Sequence, residues 1–159
     1  MGKEIERKFL VKDLSWKEGA TGTHYRQGYL TVGPPVAVRV RIAGDNAYLN
    51  IKKSTLDIAR EEFEFPIPLE DAQAILTGLC QGFPIEKTRY KIPVAGMLWE
   101  IDVFEGANEG LVIAEIELDD PNQHIDRPPW LGHEVSNDPR YLNTSLSRNP
   151  YGQWNKNPR

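Results

Sequence analysis

Like-charged residues recur two positions apart in this chain, with apolar residues at the alternate positions, in segment after segment. Glu4 and Glu6 precede Lys8 in one such series, and Arg39 and Arg41 form another. Glu62 and Glu64 follow Arg60, and Lys87, Arg89 and Lys91 align, as do Glu100 with Asp102 and Glu115 with Glu117. Between them stand Ile5, Val38, Val40, Leu49, Ile51, Phe63, Phe65, Ile101, Val103 and Ile116. Side chains on a strand alternate between its two faces, so the pattern asks for strands with one charged and one apolar face. A merely solvated face is the bland explanation of any one strand. Such a face mixes Lys, Thr, Ser, Gln and Glu, because like charges repeated along it repel. Segregated acidic and basic strands instead suit two ligands at once: carboxylates for hard divalent cations, Arg and Lys for phosphate oxygens.

Period-two alternation covers residues 4–11, 24–31, 36–42, 47–53, 60–67, 86–92, 98–104 and 111–118, each bounded by Gly, Pro, Asp or Asn. The segment 69–79 sets Leu69, Ala72, Ile75, Leu76 and Leu79 on one helical stripe. A second short helix is predicted over 138–146, capped by Asp138 with Pro139 in its first turn. Eight short strands, most of them not separated by a helical crossover, favour an antiparallel barrel or sandwich over a parallel sheet. The expected fold is mainly β (α+β): an eight-stranded antiparallel closed β-barrel with its charged faces inward and helices packed outside. At 159 residues the chain makes one domain, drawn at 1–150 with a C-terminal tail at 151–159.

The formal net charge is −4 and no long block of like charge occurs, which argues against a nucleic-acid partner. No apolar run approaches the roughly 18 residues of a membrane helix, and the start MGKEIERKF is too polar for a secretory signal. A cytoplasmic setting follows, and the lone Cys80 reads as a plain thiol. His24, His124 and His133 are not at ligand spacing. Gly33 to Pro35 reads as a turn, and Trp130 as a cover over one barrel end or an anchor for a homodimer contact.

EIERKF at the start resembles the Glu-x-Glu-x-Lys signature of the CYTH, or triphosphate tunnel metalloenzyme, family. QGYL (27–30), RVRI (39–42), NIKK (50–53), EFEF (62–65), EKTRY (86–90), WEIDVFEG (99–106), EIEL (115–118) and EVSNDPRYLN (134–143) follow in the family's order. The likeness spans nearly the whole chain and points to the short bacterial, tripolyphosphatase-like branch. It implies a triphosphate tunnel fold and magnesium or manganese (Mg2+ or Mn2+) as cofactor. Metal-facing roles fall on Glu4, Glu6, Asp102, Glu115 and Glu117, and phosphate-facing roles on Lys8, Arg39, Arg41, Lys52, Lys87, Arg89 and Arg140. Glu62, Glu64 and Arg60 stand between substrate or metal contacts and internal ion pairs. Asn50 and Tyr29 are further candidates for phosphate contact.

The activity expected is hydrolysis of a small-molecule triphosphate, inorganic tripolyphosphate first, to pyrophosphate and phosphate. Two ions held by the carboxylates would neutralise charge and position water. Lys8 and Lys87 are the catalytic candidates: Lys87, crowded by Arg89, either loses enough basicity to take the water's proton or only neutralises charge. Two rivals remain at this point. One is a nucleotide-directed relative, an adenylate cyclase or a nucleoside or thiamine triphosphatase. The other is a polyphosphate-binding module without turnover, which five carboxylates facing the ligand would not serve.

Overall fold

A computed structural model describes residues 2–53 and 58–154. It contains β1 (Gly2–Val11), β2 (Gly22–Thr31), β3 (Val36–Ala43), β4 (Asn46–Lys53) and β5 (Ala59–Ile67), then α1 (Leu69–Gly78). There follow β6 (Gln81–Val94), β7 (Met97–Glu105), β8 (Val112–Glu117), β9 (Leu131–Glu134) and α2 (Asn143–Arg148). Eight of these strands occupy the segments expected from alternation, with ends shifted by a few residues. The ninth, β9, is too short to show a period. It pairs with β1 through Phe9↔Glu134 and Val11↔Leu131.

All strands belong to one antiparallel sheet in the order β5-β4-β3-β2-β6-β7-β8-β1-β9. This corrects the expected eight-stranded closed barrel: the sheet has nine strands, and its linear order leaves β5 and β9 at the ends. β5 makes an additional, short pairing with β1 over four residue pairs, from Gly2↔Glu62 to Ile5↔Ala59. The backbone of Arg60 belongs to β5, but its side chain, one of the candidates, lies outside the described residues.

The apolar faces are covered by what lies between the strands. Phe9, Trp99, Ile101 and Ile116 are buried with Trp16 and Trp130, whose loops fold over the sheet. Trp130 meets Trp99 edge-on at 5.7 Å and is 6% exposed. That burial removes it as an anchor for a second subunit. α1 lays Ala72, Ile75 and Leu76 against Val40 and Ala47 of β3 and β4, with Glu70 and Asp71 in its first turn where the helix dipole favours acids. A Cβ on Gly28 would come within 2.9 Å of Cys80 Sγ, so the glycine lets the end of α1 settle onto β2.

The single helix expected over 138–146 is two pieces: a 3-10 turn at Pro139–Tyr141, then α2, with Leu142 between them in an extended conformation. Asp138 does cap the first piece, accepting from the Arg140 backbone N–H. Beyond α2, Tyr151 donates its backbone N–H to Asn108 and stacks edge-on with Trp154. The start of the expected tail is thus packed on the domain, while residues 155–159 lie outside the described residues. Among the described residues no helix is long and apolar enough to cross a membrane.

Candidate active site

Register decides which charges meet. Glu6 lies opposite Glu117 and Lys8 opposite Glu115; Glu100 lies opposite Glu115 on the other side of β8. Arg89 pairs with Asp102, Asn50 with both Arg39 and Glu64, and Lys52 with Glu62. Each of these positions is on the charged face of its strand, and those faces surround one cavity of about 280 Å³.

The cavity has three levels. Glu4, Glu6, Glu62, Glu100 and Glu117 line its acidic part. Partial burial, added to repulsion from the other four, raises the pKa of Glu117. The cations lie deeper: Lys8, Arg39 and Lys87 are at most 8% exposed. One step further along the same strand faces come Leu10, Ile85, Phe104 and Ile113, clustered with Tyr141 and Leu146 of the C-terminal segment. This apolar layer floors the site, and Leu142, Asn143 and Thr144 join the wall beside it.

Most of the cavity's cations are paired with a carboxylate. Lys52 Nζ is 2.9 Å from Glu4 and 3.7 Å from Glu62, and Arg39 is 3.8 Å from Glu62. Arg41 Nη2 donates to Glu64 at 2.7 Å, and the Asn50 amide donates to Glu62 and Glu64 at 2.9 and 3.1 Å. Arg89 reaches Glu100 at 3.2 Å and Glu115 at 3.3 Å, and Lys8 is 3.8 Å from Glu115. Glu62 and Glu64, open from the sequence, therefore line the cavity and pair with its cations.

Asp102 and Arg140 are placed differently from the rest. Asp102 is fully buried and does not line the cavity. Its oxygens accept from Lys87 Nζ at 2.7 Å and from Arg89 Nε and Nη2 at 2.7 and 2.9 Å. These two cations hold the Asp102 carboxyl far below the usual carboxylate range, against the opposing effect of burial. Burial in turn lowers Lys87 to about 8, with Asp102 opposing and Arg89 assisting the shift. Asp102 thus forms buried ion pairs beneath the cations of the charged face, away from the cavity surface where a metal-facing carboxylate was expected. Arg140 is exposed, pairs with Asp138 at 2.7 Å, and lies over Trp154 rather than in the cavity.

Sequence reasoning missed Tyr25, whose ring lies 5.0 Å from Arg89, 5.3 Å from Arg41 and 5.8 Å from Lys87. One aromatic ring thus lies against three cations. The signal was present, since Tyr25, Gln27 and Tyr29 share a period-two face, but that face carries no charge. Glu100 and Lys91 were on noted faces without being assigned roles, and Lys53 had no such signal. On the outer wall His24 Nε2 lies 3.6 Å from Glu86 and 3.4 Å from Glu105. Their ligand atoms lie within 4.8 Å of one another, a spacing one cation could bridge. Linear spacing hid this group, because β2, β6 and β7 bring it together.

This site sits in a chain that resembles known proteins over nearly its whole length. The CYTH domain pattern matches residues 2–151. The chain belongs to the CYTH family. Among its CYTH relatives, an inorganic triphosphatase of Acetivibrio thermocellus is 50% identical over 151 residues, covering 95% of this chain and 97% of the relative. An inorganic triphosphatase of Nitrosomonas europaea is 37% identical over 150 residues, covering 91% and 96%. The crystal structure of the inorganic triphosphatase NE1496 superposes with a TM-score of 0.68 at 34% identity, over 90% of this CYTH chain and 96% of that one.

Proposed function

We propose that this CYTH protein hydrolyses inorganic tripolyphosphate to pyrophosphate and phosphate with Mg2+ or Mn2+. The observation that carries the reading is one cavity with carboxylates at one level and a buried set of Arg and Lys at the next. The short β1–β5 pairing supports the reading by bringing Glu4 and Glu62 to the same cavity. The A. thermocellus and N. europaea triphosphatases, matched over nearly their full lengths, support the substrate. A cytoplasmic setting belongs to the same proposal.

The donor set fits the cations. Glu4, Glu6, Glu115 and Glu117 offer only oxygen ligands, which hard divalent ions prefer, and a cation among them would offset both the burial and the mutual repulsion that raise the pKa of Glu117. Bound there, the metal screens phosphate charge and polarises the phosphoryl group. Arg39, Arg41 and Arg89 grip phosphate oxygens in bidentate fashion, and Lys8 and Lys52 act as point charges along the chain. Asp102 positions Lys87 and Arg89 from behind. Water attacks the terminal phosphorus, the bridging P–O bond breaks, and pyrophosphate leaves. Lys87, with its pKa near 8, takes the water's proton.

The test is phosphate release from tripolyphosphate, ATP and thiamine triphosphate with Mg2+, Mn2+ or chelator, for wild type and Glu6→Gln. Metal-dependent release from tripolyphosphate, lost in Glu6→Gln, is expected. Preference for ATP or thiamine triphosphate would move the reading to the organic triphosphates, cyclic AMP formation from ATP would make it a cyclase, and binding without turnover would leave a polyphosphate-binding module. For Lys87, log kcat should rise towards pH 8 and level off above it, and Lys87→Met should lower kcat at least 100-fold. A profile unchanged in Lys87→Met would leave this lysine out of the proton transfer.

A further inference from the structure

Gln27 is fully buried, and neither its amide oxygen nor its amide nitrogen has a hydrogen-bond partner. Burying an unpaired amide is unfavourable, and a methionine of similar length would avoid that cost. The side chain shares its face with Tyr25 and Tyr29, which line the cavity. In the sheet Gln27 stands between Ile85 of the apolar floor and Arg41 of the cation level. Pairing of β2 is irregular just beyond it, where Gln27↔Ile85 is followed by Tyr29↔Gln81. Such bulges re-aim side chains next to binding sites.

Its neighbour Arg41 has the complementary deficit. Arg41 Nε is buried without a hydrogen-bond partner, while Nη2 is drawn to Glu64 at 2.7 Å. Directly opposed residues have Cβ atoms roughly 4.5–5.5 Å apart, a span that a glutamine oxygen and an arginine Nε–H close easily. Glu64 is 39% exposed along its side chain and is the kind of partner an anion can displace. A neutral acceptor behind Arg41 would fix the guanidinium plane without competing for its charge, which a carboxylate would do.

We propose that Gln27 is a positioning residue for Arg41: its amide oxygen accepts the Arg41 Nε–H once phosphate displaces Glu64, turning the two Nη groups towards the substrate. This rests on the triphosphatase reading above. The role is one of binding, so it belongs to KM rather than to the proton transfer.

The experiment compares full-length wild type, Gln27→Met, Arg41→Lys and the double variant, measuring ligand-free Tm and tripolyphosphate hydrolysis with Mg2+. Gln27→Met should keep or raise Tm, leave kcat within about twofold and raise KM about tenfold or more, the loss of one hydrogen bond to a charged group. In the Arg41→Lys background, which lacks the Nε donor, Gln27→Met should add little. A lower Tm with unchanged KM would make the amide structural and overturn the proposal. Failure of both Gln27→Met and Gln27→Leu to fold would do the same, and fully additive effects would detach Gln27 from Arg41. Lack of turnover in the wild type would instead sink the triphosphatase reading itself.

Discussion

At the residue scale the buried trio of Lys87, Asp102 and Arg89 has the clearest consequences. Asp102→Asn removes the ion-pair partner of buried Lys87 and one of the three of Arg89, and urea unfolding should show a loss of about 3–5 kcal/mol. Lys87 brings a pH signature. Its folded pKa, about 8, lies below the ordinary 10.5, so between those values the unfolded chain binds more protons than the folded one. Its contribution to stability therefore rises with pH from 8 to 10.5. Unfolding free energies at pH 8 and 10 should rise by this amount in wild type relative to Lys87→Met; equal slopes would contradict the lowered pKa. The charges themselves were legible from alternation: of the residues singled out, Glu4, Glu6, Lys8, Arg39, Arg41, Lys52, Glu62, Glu64, Lys87, Arg89, Glu115 and Glu117 all line the cavity. Asp102 was misplaced because period two sets a face but not a depth, and depth here follows from Arg89↔Asp102 register. Tyr25 was overlooked because an uncharged aromatic shows its use only when three cations converge on it.

At the element scale the joint between β6 and α2 is tight. Gly82 has φ +70°, and a Cβ there would lie 2.5 Å from the Ser147 backbone oxygen. Both the left-handed conformation and the clash resist a side chain, so Gly82→Ala should destabilise by about 1–3 kcal/mol and lower Tm in a thermal melt. An unchanged Tm would mean that α2 shifts freely away from β6. Because α2 and Tyr141 back the apolar floor, the same variant should weaken substrate binding. The strands and α1 were legible because each repeats its period over several residues. β9 has four residues and pairs with a distant strand, so nothing local marks it. The break at Leu142 likewise answers to packing, not to helix propensity.

For the whole molecule, six cations of the cavity are paired with carboxylates, several of them from neighbouring strands. On the proposed triphosphatase reading, a metal–triphosphate complex would replace those pairs with tighter ones and bind only the folded form. At a ligand concentration 100 times Kd the stabilisation is about 2.7 kcal/mol, readable as a rise in Tm with Mg2+ and tripolyphosphate together. Chelator should reduce it, as should Glu117→Gln; a rise indifferent to metal would point to anion binding alone. The sequence by itself determined which residues share a strand face, because side-chain alternation is local and needs no partner. Only the tertiary structure decided that the charged faces look at one another, which carboxylates stand at the mouth and which are committed to buried cations. Those outcomes depend on cross-strand register and on the β1–β5 contact between residues about 57 positions apart in the chain, pairings no local period encodes.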